Sequence, residues 1–433
     1  MLAIPFFGMA LFLKKCRVVN DFRSILWYNN EKCVKSWSDK MKIMAVNAGS
    51  SSLKFQLLHM PEEDVIVSGI VERIGLEKPL IKLKMNGDTF KETLKIKNHS
   101  EAVKMLLELL VEKGFVKRVD EIDGVGHRVV HGGEKFTDSV VITKEVIKAI
   151  EEVSDLAPLH NPANLTGIKA FQEALPNIKG VAVFDTAFHQ TMEKDAYLYG
   201  VPYEWYEKYG VRKYGFHGTS HKYVSEEVAK LLNKPLEEVN SIILHIGNGA
   251  SICAVKGGKS VDTSMGFTPL AGILMGTRSG DIDPAIVEFI ANKENKSVGE
   301  VINDLNKKSG YLGVSKNSSD SRDLWTATHH GDKQSLLAVK KQVKMICDYI
   351  AAYALTMGRL DAIVFTAGVG ENAIMTRQLV AKRLAPLGVK LDTERNYVRG
   401  KTALISSDDS IVKVFLLPTN EEVMIARDVM RLR

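Results

Sequence analysis

Strand-like alternation of apolar and polar residues opens the clearly patterned part of the chain and is interrupted by one short polar turn. An apolar run ending at Val46 is followed by Asn, Ala, Gly and Ser over residues 47–52, and alternation resumes at Leu53. This pattern predicts two strands joined by a tight turn, with Gly49 free to adopt a positive φ. Such a small, donor-rich turn can bring its backbone N–H groups close to phosphate oxygens, and Lys54 adds a positive charge. An ordinary hairpin with a serine-rich turn is the alternative interpretation.

A second copy of the same pattern strengthens the phosphate interpretation. Residues 241–255 run through an apolar strand into Asn248, Gly249, Ala250 and Ser251, and then into another β-rich segment. The two turns stand one in each half of the chain. We therefore expect two glycine-containing hairpins that face each other across a cleft and hold a polyphosphate from both sides.

Strands and helices alternate in the remainder of both halves. The predicted strands lie at residues 65–71, 80–85, 93–96, 122–130, 181–184, 362–365 and 412–417. Helical spacing of apolar residues predicts helices at residues 100–113, 144–154, 163–174 and 335–357, the first of them capped by Ser100. Residues 261–283 are rich in Gly, Thr and Pro and are expected to line a cleft. Strands followed by alternating β and α segments predict an α/β fold, and the repetition predicts a duplication.

The charge of the chain argues against nucleic acid and anionic membranes as partners. The 433 residues carry a formal net charge of +6, of which residues 1–40 contribute +4. The remainder is close to neutral and lacks the basic surface that either partner requires. The apolar run near the N-terminus is too short to span a bilayer, and basic residues follow it, which is the wrong order for a secretory signal. We interpret residues 1–40 as an extension outside the fold.

Cysteine and histidine spacing gives no sign of a disulfide framework or a zinc site. None of the cysteines forms a C-x-x-C pair; they are Cys16, Cys33, Cys253 and Cys347. Reduced thiols and a cytoplasmic location are therefore expected. His217 and His221 are four residues apart, but the intervening Gly-Thr-Ser argues against a regular helix that would carry both as ligands.

Five charged or polar residues stand out by their position. Arg128 lies in an apolar strand beside histidines and glycines, and Arg278 lies in a glycine-flanked loop. His160 and His217 lie in loops bounded by Pro or Gly, and Asp185 follows a buried strand, where metal-binding or catalytic carboxylates commonly lie. Each also has a structural interpretation: a solvent-facing arginine for Arg128, a structural histidine for His160 and His217, and a residue without a role in a site for Arg278 and Asp185.

The glycine pattern near the C-terminus has two interpretations. No P-loop is present, since the position that requires its first glycine is Cys253. Gly368 and Gly370 follow a predicted strand and precede a helix, as in a dinucleotide fold, but too little chain follows to complete that fold. We therefore do not expect NAD binding. A turn of this kind also suits the sugar and α-phosphate of ATP at a helix N-terminus.

Taken together, these segments resemble the acetate kinase family. The motifs that carry the resemblance lie at residues 46–54, 126–133, 158–162, 184–189, 214–221, 245–251, 262–283 and 365–372. The resemblance covers the chain from Met41 onward and implies the superfamily of acetate and sugar kinases, Hsp70 and actin. The implied fold is α/β, with two duplicated ribonuclease-H-like domains and a cleft between them. The expected domains are residues 41–187 with 421–433, for the acyl and phosphate groups, and residues 188–420, for the nucleotide and homodimer formation.

By position, the resemblance also implies roles for individual residues. The expected catalytic residues are Arg128, His160, Asp185, His217 and Arg278. The expected acyl-group contacts are Arg128, Val130, Leu159, Phe216 and Pro269. The expected nucleotide contacts are Lys54, Asn248, Gly249, Asp320, Ser321, Arg322, Gly368, Val369, Gly370, Glu371 and Asn372. The expected phosphate loop is Asn47, Ser50 and Ser52, and the expected ligands of Mg²⁺, with Mn²⁺ as a possible substitute, are Asn47, Asp185 and Glu421.

The activity that the resemblance implies is reversible transfer of the γ-phosphoryl group of ATP to acetate, giving acetyl phosphate and ADP. A carboxylate acceptor is already ionised at neutral pH, so no general base is needed. Arginines, histidines and Mg²⁺ are expected to supply the charge that opposes the two anions. A propionate or butyrate kinase of the same family remains an alternative. A nucleotide-driven binding protein of the Hsp70 or actin kind is another, and acetate-dependent formation of ADP would distinguish it.

Overall fold

Two mixed β-sheets form the framework of the protein in a computed structural model that describes residues 40–85 and 87–433. The first sheet contains β1 (Met41–Gly49), β2 (Ser52–Met60), β3 (Asp64–Glu72), β4 (Leu80–Met85), β5 (Asp88–Thr93), β6 (Gly124–Val129), β7 (Val140–Val141) and β8 (Gly180–Phe184). The second contains β9 (Asn240–Ile246), β10 (Ala250–Lys256), β11 (Lys259–Thr263), β12 (Ala362–Thr366), β13 (Ala403–Leu404) and β14 (Lys413–Leu416).

Helices connect the strands and cover the sheets. Those before the second sheet are α1 (His99–Glu112), α2 (Lys144–Glu152), α3 (Asn161–Ala174), α4 (Lys194–Tyr197), α5 (Tyr203–Tyr209) and α6 (Gly218–Leu231). Those that follow are α7 (Ala285–Glu294), α8 (Val298–Lys307), α9 (Gly310–Ser315), α10 (Ser321–His329), α11 (Lys333–Met357), α12 (Ala367–Asn372), α13 (Ile374–Arg383) and α14 (Glu421–Leu432). None of the helices over residues 40–85 and 87–433 is long and apolar enough to cross a membrane.

The two sheets share one topology. The first has the strand order β5-β4-β3-β2-β1-β6-β8-β7 and the second has β11-β10-β9-β12-β14-β13. In the first, β1 is parallel to β6 and β6 to β8; in the second, β9 is parallel to β12 and β12 to β14. In both, a two-residue strand, β7 or β13, pairs antiparallel with the last parallel strand. The predicted duplication is therefore confirmed, with β4 and β5 as an addition to the first copy.

The strands at the centre of the second sheet are apolar and fully enclosed. Every residue of β9 and of β12 is buried, as expected for strands covered by helices on both faces. The 25-residue helix α11 packs Val339, Val343 and Ile346 into the same hydrophobic cluster as β9. A separate cluster joins β1 and β2 to α1 in the first sheet. Each hairpin therefore projects from a rigid core.

The C-terminal helix α14 returns to the first sheet. Gly124 and Gly126 of β6 make room for it, because a Cβ on Gly126 would lie 2.2 Å from Ile425 and one on Gly124 would lie 2.6 Å from Val429. This contact agrees with the predicted grouping of residues 421–433 with the first domain. Residues 42–433 nevertheless form one compact unit, so the division into two domains stays a prediction.

Three predicted details are wrong. Helix α1 is capped by Asn98 rather than Ser100, since the Asn98 side chain accepts a hydrogen bond from the backbone N–H of Glu101 at 2.9 Å. Gly49 does not adopt a positive φ; it is required for space, because a Cβ there would lie 2.9 Å from Oγ of Ser52. The strand predicted at residues 93–96 ends at Thr93. The predicted extension over residues 1–40 lies, apart from Lys40, outside the described residues.

Candidate active site

Two neighbouring helices hold the turn between β1 and β2. Asn164 on α3 donates through Nδ2 to the carbonyl oxygen of Ala48 at 2.8 Å. Nε2 of His99, at the start of α1, lies 2.8 Å from the carbonyl oxygen of Gly49, which can only accept. Ser50 is exposed and Ser52 is partly buried, so both are accessible. The predicted phosphate loop is thus an anchored turn at the surface of the first sheet.

Arg128 and Asp185 form a bidentate ion pair at the ends of two adjacent parallel strands, β6 and β8. Nε of Arg128 donates to Oδ1 of Asp185 at 2.9 Å, and Nη2 donates to Oδ2 at 2.6 Å. Asp185 is only 1% exposed. Burial lowers the pKa of Arg128, but the adjacent Asp185 carboxylate more than offsets this effect and raises it. Arg128 therefore keeps its positive charge, and both carboxylate oxygens of Asp185 accept from it.

Helix α14 begins with two acids that differ in their partners. Lys54 on β2 pairs with Glu422. Glu421 makes no ion pair or hydrogen bond with a described side chain, and burial raises its pKa, against the opposing effect of Arg128. A partly buried carboxylate without a counter-ion, close to Asp185, suits a divalent cation. No group of three or more His, Cys, Asp or Glu side chains among the described residues could hold a metal by itself. Mg²⁺ commonly needs only one or two carboxylates when substrate phosphates complete its ligands.

His217 is the N-cap residue of α6 and has a left-handed backbone with φ 57°. Its ring stacks on that of His245 in β9, with the centroids 4.1 Å apart. Burial, followed by the charges of His245, His221 and the two site arginines, lowers the pKa of His217 well below its usual value. His217 is therefore neutral at pH 7. It offers an N–H group rather than the positive charge that we expected from the sequence.

The second hairpin turn, between β9 and β10, brings Gly249 beside Arg278. A Cβ on Gly249 would lie 3.4 Å from Nη1 of Arg278 and 3.8 Å from Nε2 of His217. Nη1 of Arg278 donates to the carbonyl oxygen of Pro269 at 3.0 Å. Among the described residues Arg278 has no carboxylate partner, and burial lowers its pKa. Its charge is therefore available to an anion.

His160, the residue before α3, belongs to the same site. Its pKa is lowered by partial burial and by the positive charges of Arg128 and Arg278, whereas Asp185 raises it. These mutual electrostatic effects show that the predicted catalytic residues lie close to one another. The site combines two guanidinium groups, two neutral imidazoles and one carboxylate that is already paired.

The site residues described above all lie within the part of the chain that matches known proteins. The model of the acetokinase family matches residues 42–427. The chain belongs to the acetokinase family. It is 60% identical over 391 residues to the acetate kinase of Shouchella clausii, which covers 90% of this chain and 99% of that protein. The crystal structure of Porphyromonas gingivalis acetate kinase has a TM-score of 0.88 and 46% identity, covering 90% of this chain and 99% of that one. A propionate kinase from Francisella tularensis has a TM-score of 0.85 and 41% identity, covering 91% and 100%.

The residues expected to contact the acyl group are only partly brought together in this member of the acetokinase family. Val130 and Phe216 are 8% and 2% exposed and belong to one hydrophobic cluster. The backbone N–H of Val130 donates to Oδ1 of Asn164 at 3.1 Å, which fixes its position. Leu159 is 76% exposed and lies outside that cluster. Val130 and Phe216 are thus both buried in one apolar cluster, to which Leu159 does not contribute in this structure.

The predicted glycine turn of the nucleotide site is present in this acetokinase-family fold as the junction of β12 and α12. Residues 368–372 lie on α12, and Ala367 at its start has φ 63°. A Cβ on Gly368 would have no neighbour within 4 Å, so this face of the turn is open. Arg377 holds the other face, since its Nη1 donates to the carbonyl oxygens of Gly370 and Glu371 at 2.9 Å and 3.0 Å. The turn is therefore rigid and accessible.

The other predicted nucleotide residues lie at the start of α10. Asp320 caps this helix by accepting from the backbone N–H of Arg322 at 2.8 Å, and the two side chains form an ion pair. Ser321 is buried, whereas the Arg322 side chain is 88% exposed. Nε1 of Trp325 on α10 donates to Oγ1 of Thr376 on α13 at 3.2 Å, which joins α10 to the helix after the glycine turn.

Sequence reasoning missed the residues that hold the functional groups in place, among them Asn164, Arg377, His245 and Ser251. His245 and Ser251 interrupt apolar strands, and that interruption is the signal that identifies them. The argument against a regular helix after His217 is also wrong. Helix α6 begins at Gly218, so His217 and His221 lie one turn apart, and the backbone N–H of His221 donates to the carbonyl oxygen of His217 at 3.0 Å.

Proposed function

We propose that this protein is an acetate kinase, which transfers the γ-phosphoryl group of ATP to acetate and runs the reaction in both directions. The observation that carries the proposal is the clustering of Arg128, Arg278, His160 and His217, in a chain of the acetokinase family. Two guanidinium groups and two imidazole groups suit a reaction in which two anions must meet.

The acceptor determines what the site has to do. An acetate oxygen attacks the γ-phosphorus directly while the bond from that phosphorus to the β–γ bridging oxygen breaks, in line with the attack. Acetate has no proton to lose at neutral pH, so no residue has to act as a base. The ion pair between Asp185 and Arg128 agrees with this, because a carboxylate held by a guanidinium is a poor general base.

Each cationic or neutral donor has a distinct part in this proposal. Arg278, which has no carboxylate partner among the described residues, binds whichever substrate anion has no other positive group opposite its charge. Arg128, held by Asp185, presents the remaining edge of its guanidinium in a fixed orientation. His160 and His217 are neutral and donate N–H groups to phosphoryl oxygens as charge develops on them. The apolar side chains of Val130 and Phe216 receive the methyl group of acetate.

Mg²⁺ fits the carboxylates of this site. Glu421, with Asp185 and with Asn47 of the phosphate turn, would hold it, and the ion would neutralise charge on the ATP phosphates. The proposed location is the cytoplasm, in keeping with the free Cys253 and Cys347. A homodimer is also proposed, and the exposed aromatic residues of α5, among them Trp205 and Tyr209, support an interface.

Acetate-dependent formation of ADP from MgATP, with acetyl phosphate trapped as its hydroxamate, tests the function. We expect turnover with acetate, its loss when Mg²⁺ is chelated, and its recovery when Mg²⁺ is restored. ATP hydrolysis that is independent of acetate would favour a nucleotide-driven binding protein instead. A higher kcat/KM for propionate or butyrate than for acetate would assign the protein to the alternative acyl substrate.

A further inference from the structure

Ser251 links two histidines of the site through one hydroxyl group. Its Oγ, on β10, lies 2.9 Å from Nδ1 of His217 and 2.8 Å from Nε2 of His221. Ser251 and His221 are 0% exposed. Because His217, the N-cap residue of α6, and His221 on α6 are one helical turn apart, a single strand residue reaches both rings.

Hydrogen counting leaves two arrangements for this chain of three groups. Burial lowers the pKa of both His217 and His221 well below the usual value, so each ring is neutral and carries one proton. A serine hydroxyl has one donor and two acceptor positions. Because the two ring nitrogens are the only partners of Ser251 Oγ among the described residues, its buried O–H must donate to one of them, and it accepts from the other. Either His221 donates to Ser251 and Ser251 to His217, or the whole direction is reversed.

The two arrangements differ at the far ends of the chain. In the first arrangement, His217 carries its proton on Nε2, and Nδ1 of His221 is unprotonated. In the second arrangement, Nε2 of His217 is unprotonated, and His221 carries its proton on Nδ1. That Nδ1 atom is buried and has no hydrogen bond partner among the described residues. The second arrangement therefore leaves an unpaired N–H in the interior, and orphaned buried N–H groups are rarer than orphaned acceptors.

We propose that Ser251 and His221 are positioning residues that fix the tautomer of His217, so that its Nε2–H points toward the phosphoryl group in transfer. Nε2 of His217 has no protein partner among the described residues and lies on the side of Gly249 and Arg278. A bare nitrogen at that place would repel phosphoryl oxygens, whereas an N–H group stabilises them. The role in transfer rests on the proposed acetate kinase function; the tautomer itself does not.

A second serine–histidine pair shows what a purely structural pair looks like in this fold. Oγ of Ser260 lies 2.8 Å from Nδ1 of His189, and Nε2 of His189 lies 3.0 Å from the carbonyl oxygen of Phe216. Both ring nitrogens of His189 are thus satisfied by protein. His217 differs because only one of its nitrogens is satisfied. Ser260→Ala is therefore the matched control for Ser251→Ala.

The tautomer can be measured directly by NMR on full-length protein with ¹⁵N-labelled histidine and no substrate. Long-range ¹H–¹⁵N correlations distinguish protonated from bare ring nitrogens, and His217→Gln assigns the signals of His217. We expect Nε2 protonated and Nδ1 bare in the wild type, and a mixture of tautomers in Ser251→Ala. A proton on Nδ1 in the wild type, or an unchanged tautomer in Ser251→Ala, would overturn the proposal whether or not the protein phosphorylates acetate.

A double-mutant cycle tests the consequence for transfer. We expect Ser251→Ala to lower kcat about tenfold, the rate equivalent of one hydrogen bond, with little change in the KM for acetate. In the His217→Gln background the same substitution should have no further effect, since it acts through the imidazole. Ser260→Ala should leave kcat unchanged. An equal loss from Ser251→Ala in both backgrounds would refute the role of His217. If Ser251→Ala fails to fold, the wild-type NMR measurement still decides the tautomer.

Discussion

Gly276 provides a sharp test of the position of Asn248, because it touches that side chain at the second hairpin turn. The backbone N–H of Gly276 donates to the carbonyl oxygen of Asn248 at 3.1 Å. A Cβ on Gly276 would lie 1.9 Å from Oδ1 of Asn248 and 3.1 Å from the carbonyl oxygen of Ser319. Gly276→Ala therefore has to displace the Asn248 amide, while the backbone of Gly276 itself is not in the left-handed region.

The size of the displacement sets the expected effect. An ordinary carbon–oxygen contact needs about 3.4 Å, so the amide must move by about 1.5 Å. Misplacement of a reacting or binding group by about 1 Å can cost about 10²-fold in rate, and we expect a loss of that order in kcat/KM for ATP. The Asn248 side chain can rotate, so the unfolding free energy should fall by no more than about 1–3 kcal/mol.

The assay is ADP formation at varied ATP and acetate, with thermal unfolding measured in parallel. Gly299→Ala is the matched control, because a Cβ there has no neighbour within 4 Å and the residue lies in the first turn of α8. If Gly276→Ala acts through Asn248, then Asn248→Ala should show a similar loss and the double variant no additional one. A folded Gly276→Ala protein with wild-type kcat/KM would show that the Asn248 amide has no part in the reaction.

Three further outcomes are expected. Arg128→Ala and Arg278→Ala should each lower kcat by about 10²–10³. Only Arg128→Ala should also lower the unfolding free energy, by about 3–5 kcal/mol, because it leaves the buried Asp185 carboxylate without its partner. Equal thermal stability of the two variants would contradict this. The wild type is expected to favour acetate by about 1–3 kcal/mol per added methylene group, and Val130→Ala should raise the kcat/KM for propionate relative to acetate. An unchanged preference between the two acids would show that Val130 does not line the acyl pocket. The unfolding free energy should fall as the pH drops below about 6.5, by up to about 1.4 kcal/mol per pH unit for each buried neutral histidine. The reason is that histidines of the unfolded chain bind protons that the same histidines in the folded chain do not. A melting temperature that is the same from pH 7 to pH 5 would refute this prediction. The histidines whose pKa burial lowers to about 3 or 4 are His127, His131, His189 and His245.

Local patterns in the sequence were sufficient for the framework of the fold and for most of the site. Both hairpins and the strand-to-helix turn at residues 368–372 were predictable, because each combines an apolar run with glycine or small polar residues. The position of Asp185 after a buried strand was predictable for the same reason. These features depend on residues that are close together in the chain.

Features that depend on distant residues were not predictable from local patterns. The pairing of Arg128 with Asp185 requires β6 and β8 to be neighbours, which follows only from the strand order. The neutral state of His217 depends on burial and on charges from four segments. The sequence shows the histidine but not its surroundings, and its expected positive charge was therefore wrong.

The balance of charge in the site explains why directional donors and a metal ion would be needed together. The cationic groups are Arg128, Arg278 and Lys54, and the carboxylates close to them are Asp185, Glu421 and Glu422. With neutral histidines the formal charges of these groups cancel, so the protein groups alone exert little net attraction on an anion. In the proposed mechanism, ATP and acetate would then be held by the guanidinium group of Arg278, by N–H groups and by Mg²⁺ at Glu421. In that mechanism, a site without a large net positive field would also not trap acetyl phosphate or ADP, which suits a transfer that runs in both directions.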